Sequence, residues 1–433
     1  MTEILLGQTL SFAADPFSEG PRAARHERRG AVAIAEGVIR DVGRAEEVRA
    51  RHPGARVTDL GDALLSAGFV DAHVHYPQTA IIASWGKRLI DWLETYTFPE
   101  EMRFGDPAHA RAIAERYLDI VLAHGTTTVA SYCTSHPESV DAFFEAAAAR
   151  NMRVAAGKTC MDRNAPAALL DTPRRAYDES LALLRRWHGR GRAEYVITPR
   201  FAPTSTPEQL EALGALWAAH PDCLMQTHLS EQLEEIAWVR TLFPDARDYL
   251  GVYERFGLLG PRAVYGHAIH LTEREIARLS EVGAALVHCP TSNTFIGSGL
   301  FDLAGLAGAG PRIGLATDTG GGSSFSMLRT MAAAYEIGQL RGHAPHPAEL
   351  WWLATEGSAR ALRMDDRIGN LVPGREADII AIDLRSTPAI AQRADRADDF
   401  WEMLFPTIMM GDDRAIRTVR VAGVEPRTAA SGA

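Results

Sequence analysis

The sequence Asp71-Ala72-His73-Val74-His75 places two histidines one residue apart at the end of an apolar run. Residues two apart in a β-strand point to the same face, so both imidazoles are expected on the same side. Paired imidazoles are frequent ligands of divalent metals such as zinc. The same spacing also occurs among surface histidines that bind no metal, so this pair is half of a candidate metal site.

Further polar residues close other short apolar, strand-like runs of the chain. His228, His267 and Asp318 each follow such a run. Imidazoles and a carboxylate together suit a divalent metal that keeps one position open for water. Taken singly, His228 and His267 are equally well explained as ordinary, partly buried histidines. Their joint placement at strand ends is what favours a metal site.

Glu231 follows one of these candidate ligands in the sequence His228-Leu229-Ser230-Glu231. A carboxylate at this distance can reach a metal-activated water without binding the metal, which makes Glu231 a candidate general base. The alternative is a glutamate that caps a helix predicted over residues 230–235. The two roles are compatible, and the sequence does not separate them.

Two further segments contribute candidate binding groups. The sequence Asp318-Thr319-Gly320-Gly321-Gly322 lacks the Lys-Ser/Thr ending of a phosphate loop, and its glycines favour a close approach of the backbone to the site. Arg200 and Phe201 end another strand with a cation and an aromatic ring, which suits a flat, polar heterocycle. A surface arginine beside a core phenylalanine explains this second pair equally well.

These residues are positioned by a repeated alternation of strand-like and helix-like segments. The first strand-like run, residues 63–70, leads to the paired histidines, and further runs are residues 126–130, 153–156, 194–198, 223–227, 263–266, 284–287 and 312–316. Helical spacing between them, as in residues 141–146 and 208–213, indicates a parallel sheet. Histidines stand where an open doubly wound sheet usually carries a phosphate loop, so the pattern favours a closed (β/α)8 TIM barrel.

The two ends of the chain predict a second, smaller domain. Residues 31–40 are typical of a hairpin, and residues 377–383 and 419–423 are typical of further strands. We therefore predict an α/β protein with a barrel over residues 63–368 and a small β-sandwich domain built from residues 1–62 and 369–433.

Composition narrows the function classes. The chain has 433 residues, 46% of them hydrophobic, and a formal net charge of -10. A negative charge argues against nucleic-acid and anionic-membrane partners and favours a small-molecule substrate. The beginning of the chain is not typical of a signal peptide, and no apolar segment has the length of a membrane span, which predicts a cytoplasmic protein. The scattered cysteines predict buried residues in a reducing compartment.

Several motifs together resemble those of a known family. They are Asp71–Gln78, Asp91–Glu100, Gly157–Asp162, Pro199–Phe201, His228–Glu231, His288–Asn293 and Thr317–Asp318. Over nearly its whole length the chain resembles the amidohydrolase superfamily and, more narrowly, its guanine-deaminating family. The segment that contains Trp92 and Phe98 is the most specific part of this resemblance.

The resemblance implies a metal-dependent hydrolase with a defined set of site residues. One zinc ion per subunit, or alternatively iron, would be held by His73, His75, His228 and Asp318. The purine would be contacted by Gln78, Arg200, His267 and the backbone near Phe201. The implied catalytic residues are Glu231, Asp318 and His267.

The implied reaction is the hydrolytic deamination of guanine to xanthine and ammonia. A zinc ion lowers the pKa of its bound water to roughly 7. Glu231 would take the water's proton and return it to the ring nitrogen beside the carbon that carries the amine. The family also implies a homodimer, and the aromatic-rich connection Trp85–Phe98 is a candidate lid over the site.

Alternatives to this function stay open. A sister hydrolase acting on 8-oxoguanine, a triazine or a pterin would use the same metal site with different contacts to the substrate. A barrel scaffold without catalysis would lack bound metal. A two-metal site bridged by a carbamylated lysine is disfavoured because residues 195–201 contain no lysine, and Lys158 is the one residue that leaves this arrangement open.

Overall fold

The computed structural model describes residues 2–85 and 88–427 and contains two sheets. Its strands in chain order are β1 (Glu3–Phe12), β2 (Ala24–Ala35), β3 (Val38–Arg44), β4 (Arg56–Ala67), β5 (Phe69–His75), β6 (Thr126–Tyr132), β7 (Arg153–Gly157), β8 (Thr159–Cys160), β9 (Ala193–Pro199), β10 (Leu224–Leu229), β11 (Ala263–His267), β12 (Ala285–His288), β13 (Arg312–Leu315), β14 (Ile379–Ile382) and β15 (Ile416–Arg420).

Helices alternate with these strands from β5 onward. The α-helices are Pro16–Glu19, Ala45–Arg51, Leu89–Trp92, Phe98–Glu101, Pro107–Ala123, Pro137–Ala149, Pro173–Trp187, Pro207–Ala219, Leu233–Leu242, Tyr249–Arg255, Glu273–Val282, Pro290–Phe295, Leu303–Ala309, Met327–Leu340, Pro347–Trp352, Ser358–Ala361, Pro388–Ala394 and Phe400–Met410. Local sequence sets where many of them begin. Thr206, for example, accepts a hydrogen bond from the Gln209 backbone N–H directly before the helix that starts at Pro207.

Eight parallel strands form the predicted barrel in the order β5-β6-β7-β9-β10-β11-β12-β13, with the short β8 beside β9. The first and last strands of this order, β5 and β13, meet at their carboxyl-terminal ends. There the Asp318 N–H donates to the His73 carbonyl (3.1 Å), and the His75 N–H donates to the Thr319 carbonyl (3.2 Å). Small and branched side chains fill the interior, including Val70, Ala72, Ala130, Ala155, Val196 and Val264. The barrel therefore has a packed centre, and its strand ends open onto one rim.

The first barrel strand begins later than the sequence predicts. The predicted run over residues 63–70 is divided at Gly68 between β4 and β5. A Cβ at Gly68 would lie 2.2 Å from Thr127 Oγ1, so the chain can cross here only as glycine. Residues 63–67 are mostly apolar because they are buried in the other sheet, and for this reason the two strands form one continuous apolar run in the sequence.

The second sheet combines both ends of the chain, as predicted. Its six strands have the order β15-β14-β4-β1-β2-β3. The predicted hairpin is β2 and β3, whose turn residues Glu36 and Gly37 have positive φ angles of 55° and 74°. Strand β1 was not predicted, and only the end of β4 lay within the predicted run over residues 63–70. The proposed domain boundaries stay a prediction, and their ends at Met1 and residues 428–433 lie outside the described residues.

No helix within residues 2–85 and 88–427 has both the length and the apolar character needed to cross a bilayer. The cysteines, Cys133, Cys160, Cys223 and Cys289, are buried and free, which confirms that they are core residues.

Candidate active site

The predicted strand-end residues converge on one rim of the barrel. His73 and His75 lie at the end of β5, His228 is the penultimate residue of β10, and His267 is the last residue of β11. Asp318 follows β13 and is 4% exposed. All five side chains are buried, and the His73 ring centroid lies within 5.4 Å of those of His75, His228 and His267, so the groups that the sequence placed at separate strand ends form one cluster.

The nitrogens and oxygens of this cluster are close enough to share a cation. His75 Nε2 lies 3.1 Å from His228 Nε2. Asp318 Oδ1 lies 3.6 Å from Nε2 of both His73 and His75. His73 Nε2 is buried and has no hydrogen-bond partner among the described residues. A buried nitrogen without a partner is costly, and a cation bound between these groups would satisfy it.

Hydrogen bonding and burial keep the histidines in the form that binds metals. His228 Nδ1 lies 2.7 Å from the Arg200 carbonyl, which only a protonated nitrogen can satisfy, so the Nε2 lone pair faces the cluster. Burial, followed by the nearby His228 and His267, lowers the pKa of His73 well below its usual range. Burial also lowers the pKa of His75 and His228. Neutral imidazoles and the Asp318 carboxylate therefore fit a divalent cation.

Glu231 lies beside this cluster in the loop between β10 and the following helix. Ser298 Oγ donates a hydrogen bond to Glu231 Oε1 (2.8 Å), and Glu231 Oε2 lies 3.4 Å from His267 Nε2. Burial raises the pKa of Glu231 to about 7, against the opposing effect of the Ser298 hydrogen bond. A carboxyl group with this pKa can both accept and return a proton near neutral pH.

The alternative capping role of Glu231 is wrong for its side chain. The helix begins at Leu233 with Gln232 as its N-cap. The carboxylate of Glu235 instead accepts the backbone N–H groups of Glu231 (2.8 Å) and Gln232 (3.1 Å). Because Glu235 satisfies these donors, the Glu231 carboxyl is free to face the cavity.

His267 is held by a residue whose role the sequence did not reveal. Asn293 Oδ1 lies 2.9 Å from His267 Nδ1. The other ring nitrogen, Nε2, lies 3.9 Å from Asp318 Oδ2. His267 and Asp318 both have positive φ angles, of 68° and 49°. Such conformations are unfavourable for residues with side chains and are typical of functional sites.

A cavity next to the cluster contains the residues predicted to contact the purine. It is lined by His75, Gln78, Leu89, Trp92, Leu93, Arg200, Phe201, His228, Glu231, His267, Ile296, Asp318 and Gly321. Gln78 lies on the turn after β5, and Arg200 and Phe201 follow β9. The lining combines apolar side chains with several polar groups, as expected for a site that binds a flat, polar heterocycle.

The candidate lid covers part of this cavity. Its described part contains the helix Leu89–Trp92 and a π-helical turn over Leu93–Thr97. The Trp92 ring makes an edge contact with Phe295, at a centroid distance of 6.0 Å. Residues 86 and 87 of the predicted segment lie outside the described residues. Leu89, Trp92 and Leu93 from the described part of the segment line the cavity, and movement of the segment stays a prediction.

Lys158 does not belong to the cluster of histidines and Asp318. Its Nζ forms an ion pair with Asp171 and lies 3.4 Å from Glu179 Oε2. A lysine held by these carboxylates is not available to bridge two metals, so Lys158 does not support the two-metal arrangement.

A family model described as the amidohydrolase family matches residues 64–425. It spans the barrel and both carboxyl-terminal strands, β14 and β15. The chain belongs to the amidohydrolase family. A second model, described as a bacterial imidazolonepropionase-like composite domain, matches residues 30–55 of the smaller sheet.

Proteins similar to this amidohydrolase include several guanine deaminases. The guanine deaminase of Escherichia coli K12 is 43% identical over 402 residues, which cover 93% of this chain and 92% of the relative. A solved structure of E. coli guanine deaminase superposes with a TM-score of 0.96 at 41% identity and covers 99% of this chain and 100% of its own. The C. acetobutylicum guanine deaminase with bound guanine in its active site gives 0.90 at 26% identity, with coverages of 99% and 100%.

Gly266 provides the space that His73 occupies in this amidohydrolase. A Cβ at Gly266 would lie 2.5 Å from His73 Cε1 and 2.8 Å from Nδ1. We expect Gly266→Ala to displace the imidazole and to weaken metal binding by about 10- to 100-fold, as for other losses of ligand orientation. Metal titration against a chelating dye measures this. Gly308→Ala is the control, because a Cβ there meets nothing within 4 Å. Equal metal affinity in both variants would contradict the prediction.

Proposed function

We propose that this amidohydrolase converts guanine and water to xanthine and ammonia. The observation that carries the proposal is the position of Glu231 within the same cavity as the metal-ligating cluster and the polar pair Gln78 and Arg200. The similarity to named guanine deaminases over nearly the full chain supports the substrate.

We propose zinc as the metal, with iron as the alternative. His73, His75, His228 and Asp318 would hold it, since their nitrogen and oxygen donors suit either ion. When bound, the ion lowers the pKa of a coordinated water and so supplies hydroxide near neutral pH.

In this proposal Glu231 moves the proton that the addition of water requires. Its carboxylate accepts a proton from the attacking water as the oxygen bonds to C2 of guanine. The protonated Glu231 then donates to N3, which becomes an N–H. The resulting tetrahedral carbon carries one hydroxyl and one amine, and both ring nitrogens beside it are protonated.

Asp318 completes the reaction in the same proposal. It accepts the proton of the hydroxyl group and transfers it to the amine. The bond between C2 and the amine nitrogen then breaks, and ammonia leaves as the C2 carbonyl forms. Burial raises the pKa of Asp318 to about 7, which favours such a transfer, whereas a bound cation favours the ionised form. His267, whose Nε2 faces both carboxyl groups, orients the attacking water.

Gln78, Arg200 and Phe201 contact the purine in this proposal. We expect Arg200→Ala and Gln78→Ala each to lower kcat/KM for guanine by about 10- to 200-fold, because a buried polar edge of the substrate loses its partner. Steady-state kinetics with quantified metal content measure the effect. Arg185→Ala, at an exposed position of an outer helix, is the control for Arg200→Ala. Unchanged guanine turnover in both cavity variants would contradict these contacts.

A substrate panel tests the proposed function itself. Ammonia release is measured for guanine, 8-oxoguanine, ammeline, a pterin and adenine with the metal-loaded protein. The proposal expects guanine to have the highest kcat/KM. A higher value for another ring would retain the hydrolase chemistry and overturn the substrate, and release from none of them would overturn both. The homodimer and the cytoplasmic location stay predictions.

A further inference from the structure

Glu101 is a buried acid beside the substrate cavity that the sequence analysis did not single out. Its side chain is 1% exposed. Arg200 Nη1 donates to Oε1 (3.1 Å) and Oε2 (2.8 Å) of Glu101, and Gln78 Nε2 donates to Oε1 (3.0 Å). One carboxylate therefore holds both residues that the proposed function assigns to the polar edge of the substrate.

The contact with Glu101 determines which way the Gln78 amide faces. An ionised carboxylate can only accept hydrogen bonds, so the NH₂ group of Gln78 must face Glu101 and the Oε1 atom must face away. That oxygen lies next to Gly320, where a Cβ would approach it to 2.0 Å. Gln78 lines the cavity, and this oxygen is the one hydrogen-bond acceptor of its side chain.

The same carboxylate orients Arg200 as a donor. Glu101 engages only Nη1, and the remaining guanidinium nitrogens of Arg200 have no hydrogen bond within the described part of the chain. The Phe98 ring centroid lies 5.7 Å from Arg200 Cζ, so the guanidinium also has an aromatic contact. Arg200 is thereby held beside Gln78 with N–H groups available to the cavity, which it lines.

We propose that Glu101 is a positioning residue that makes the site selective for a lactam edge, meaning a ring carbonyl next to a ring N–H. A fixed donor beside a fixed acceptor complements such an edge, because the carbonyl accepts and the N–H donates. Guanine presents it at C6=O and N1–H. An amidine edge, as in adenine, has a ring nitrogen that accepts and an amine that donates, so it meets the wrong partners. This proposal rests on the proposed function.

Binding at the lactam edge also fixes the position of the reacting carbon of guanine. N1 is bonded to both C6 and C2, so a purine held at C6=O and N1–H has its C2 amine on the adjacent ring position. The contacts that Glu101 organises would therefore select the substrate and place C2 at a defined distance from the polar edge.

Binding of two ligands that differ at this edge tests the proposal without any turnover. Hypoxanthine has the lactam edge, adenine has the amidine edge, and both lack a 2-amine. Dissociation constants are measured by calorimetry on the metal-loaded protein. We expect wild-type protein to bind hypoxanthine at least about tenfold more tightly than adenine. Equal binding of the two ligands would overturn the proposal even if no variant folds.

The Glu101→Gln variant then tests whether Glu101 causes the preference for hypoxanthine over adenine. The introduced amide can donate to Gln78 and loses its charge toward Arg200, so we expect the adenine-to-hypoxanthine ratio of dissociation constants to fall by about tenfold or more. Glu100→Gln is the matched control. Glu100 is a neighbouring buried acid that pairs instead with Arg103 (2.8 Å) and His109 (2.9 Å).

The outcomes separate the two proposals. A ratio that stays at the wild-type value in Glu101→Gln, with normal metal content and melting temperature, would overturn the positioning role. A ratio that falls in Glu101→Gln and not in Glu100→Gln supports it. Absence of xanthine formation by the wild-type protein would overturn the proposed function and leave the binding result to stand by itself.

Discussion

Glu231→Gln is expected to lower kcat for guanine by about 10²- to 10⁴-fold, the usual range for a general acid–base group. Glutamine has nearly the same shape and can still hydrogen-bond to Ser298, which now donates to Glu231 Oε1 at 2.8 Å. It cannot accept the water's proton or return it to the purine. The loss should therefore fall on kcat, while metal content and substrate affinity change little.

Kinetics and metal analysis of the same preparations measure this expectation. Glu234→Gln serves as the control, because that side chain is 63% exposed and pairs with Arg88 outside the cluster. A loss in Glu231→Gln of less than tenfold, with normal metal content, would contradict the role of Glu231. A loss of kcat accompanied by missing metal would also contradict this role, because Glu231 would then be a structural residue of the site.

Removal of the metal is expected to have an effect at least as large. The neutral imidazoles of His73, His75 and His228 cannot activate water by themselves, and the contribution of a bound ion is several kcal/mol, or a thousandfold or more in rate at about 1.4 kcal/mol per factor of ten. Dialysis against a chelator should abolish xanthine formation, and stoichiometric zinc should restore it.

The thermal stability of the protein gives an independent measure of metal binding. A ligand present at about 100 times its dissociation constant stabilises the folded state by about 2.7 kcal/mol, so the metal-free protein should melt at a lower temperature. His228→Ala should show both defects, because its Nε2 lies 3.1 Å from His75 Nε2 within the cluster. Full activity after complete metal removal would contradict the account.

The clustering of the candidate metal ligands was predictable because these residues follow local patterns. His73, His75 and His228 lie at strand ends, and parallel strands bring their carboxyl ends to one rim of a barrel. The period of two in β5 is enough to point both of its histidines the same way. The eight-strand alternation likewise follows from apolar runs and helical spacing, which are properties of short stretches of sequence.

The features that the sequence did not predict were missed for physical reasons. Residues 63–67 were assigned to the barrel because burial in either sheet produces the same apolar run. Glu101 and Asn293 contact residues at a distance in the chain, Arg200 and His267 respectively, and no local spacing marks them. Asn293 lies within a motif that contributed to the family resemblance, yet its contact with His267 could be recognised only in the folded structure. The capping of the helix at Leu233 by Glu235 was similarly visible only in three dimensions.

The most direct test of the central proposal follows the oxygen atom of water. Guanine is incubated with the zinc-loaded protein in H₂¹⁸O, and the products are examined by mass spectrometry and an ammonia assay. Hydrolytic deamination predicts xanthine with one ¹⁸O at C2 and one ammonia for each xanthine. Absence of xanthine, or xanthine without the label, would contradict the account.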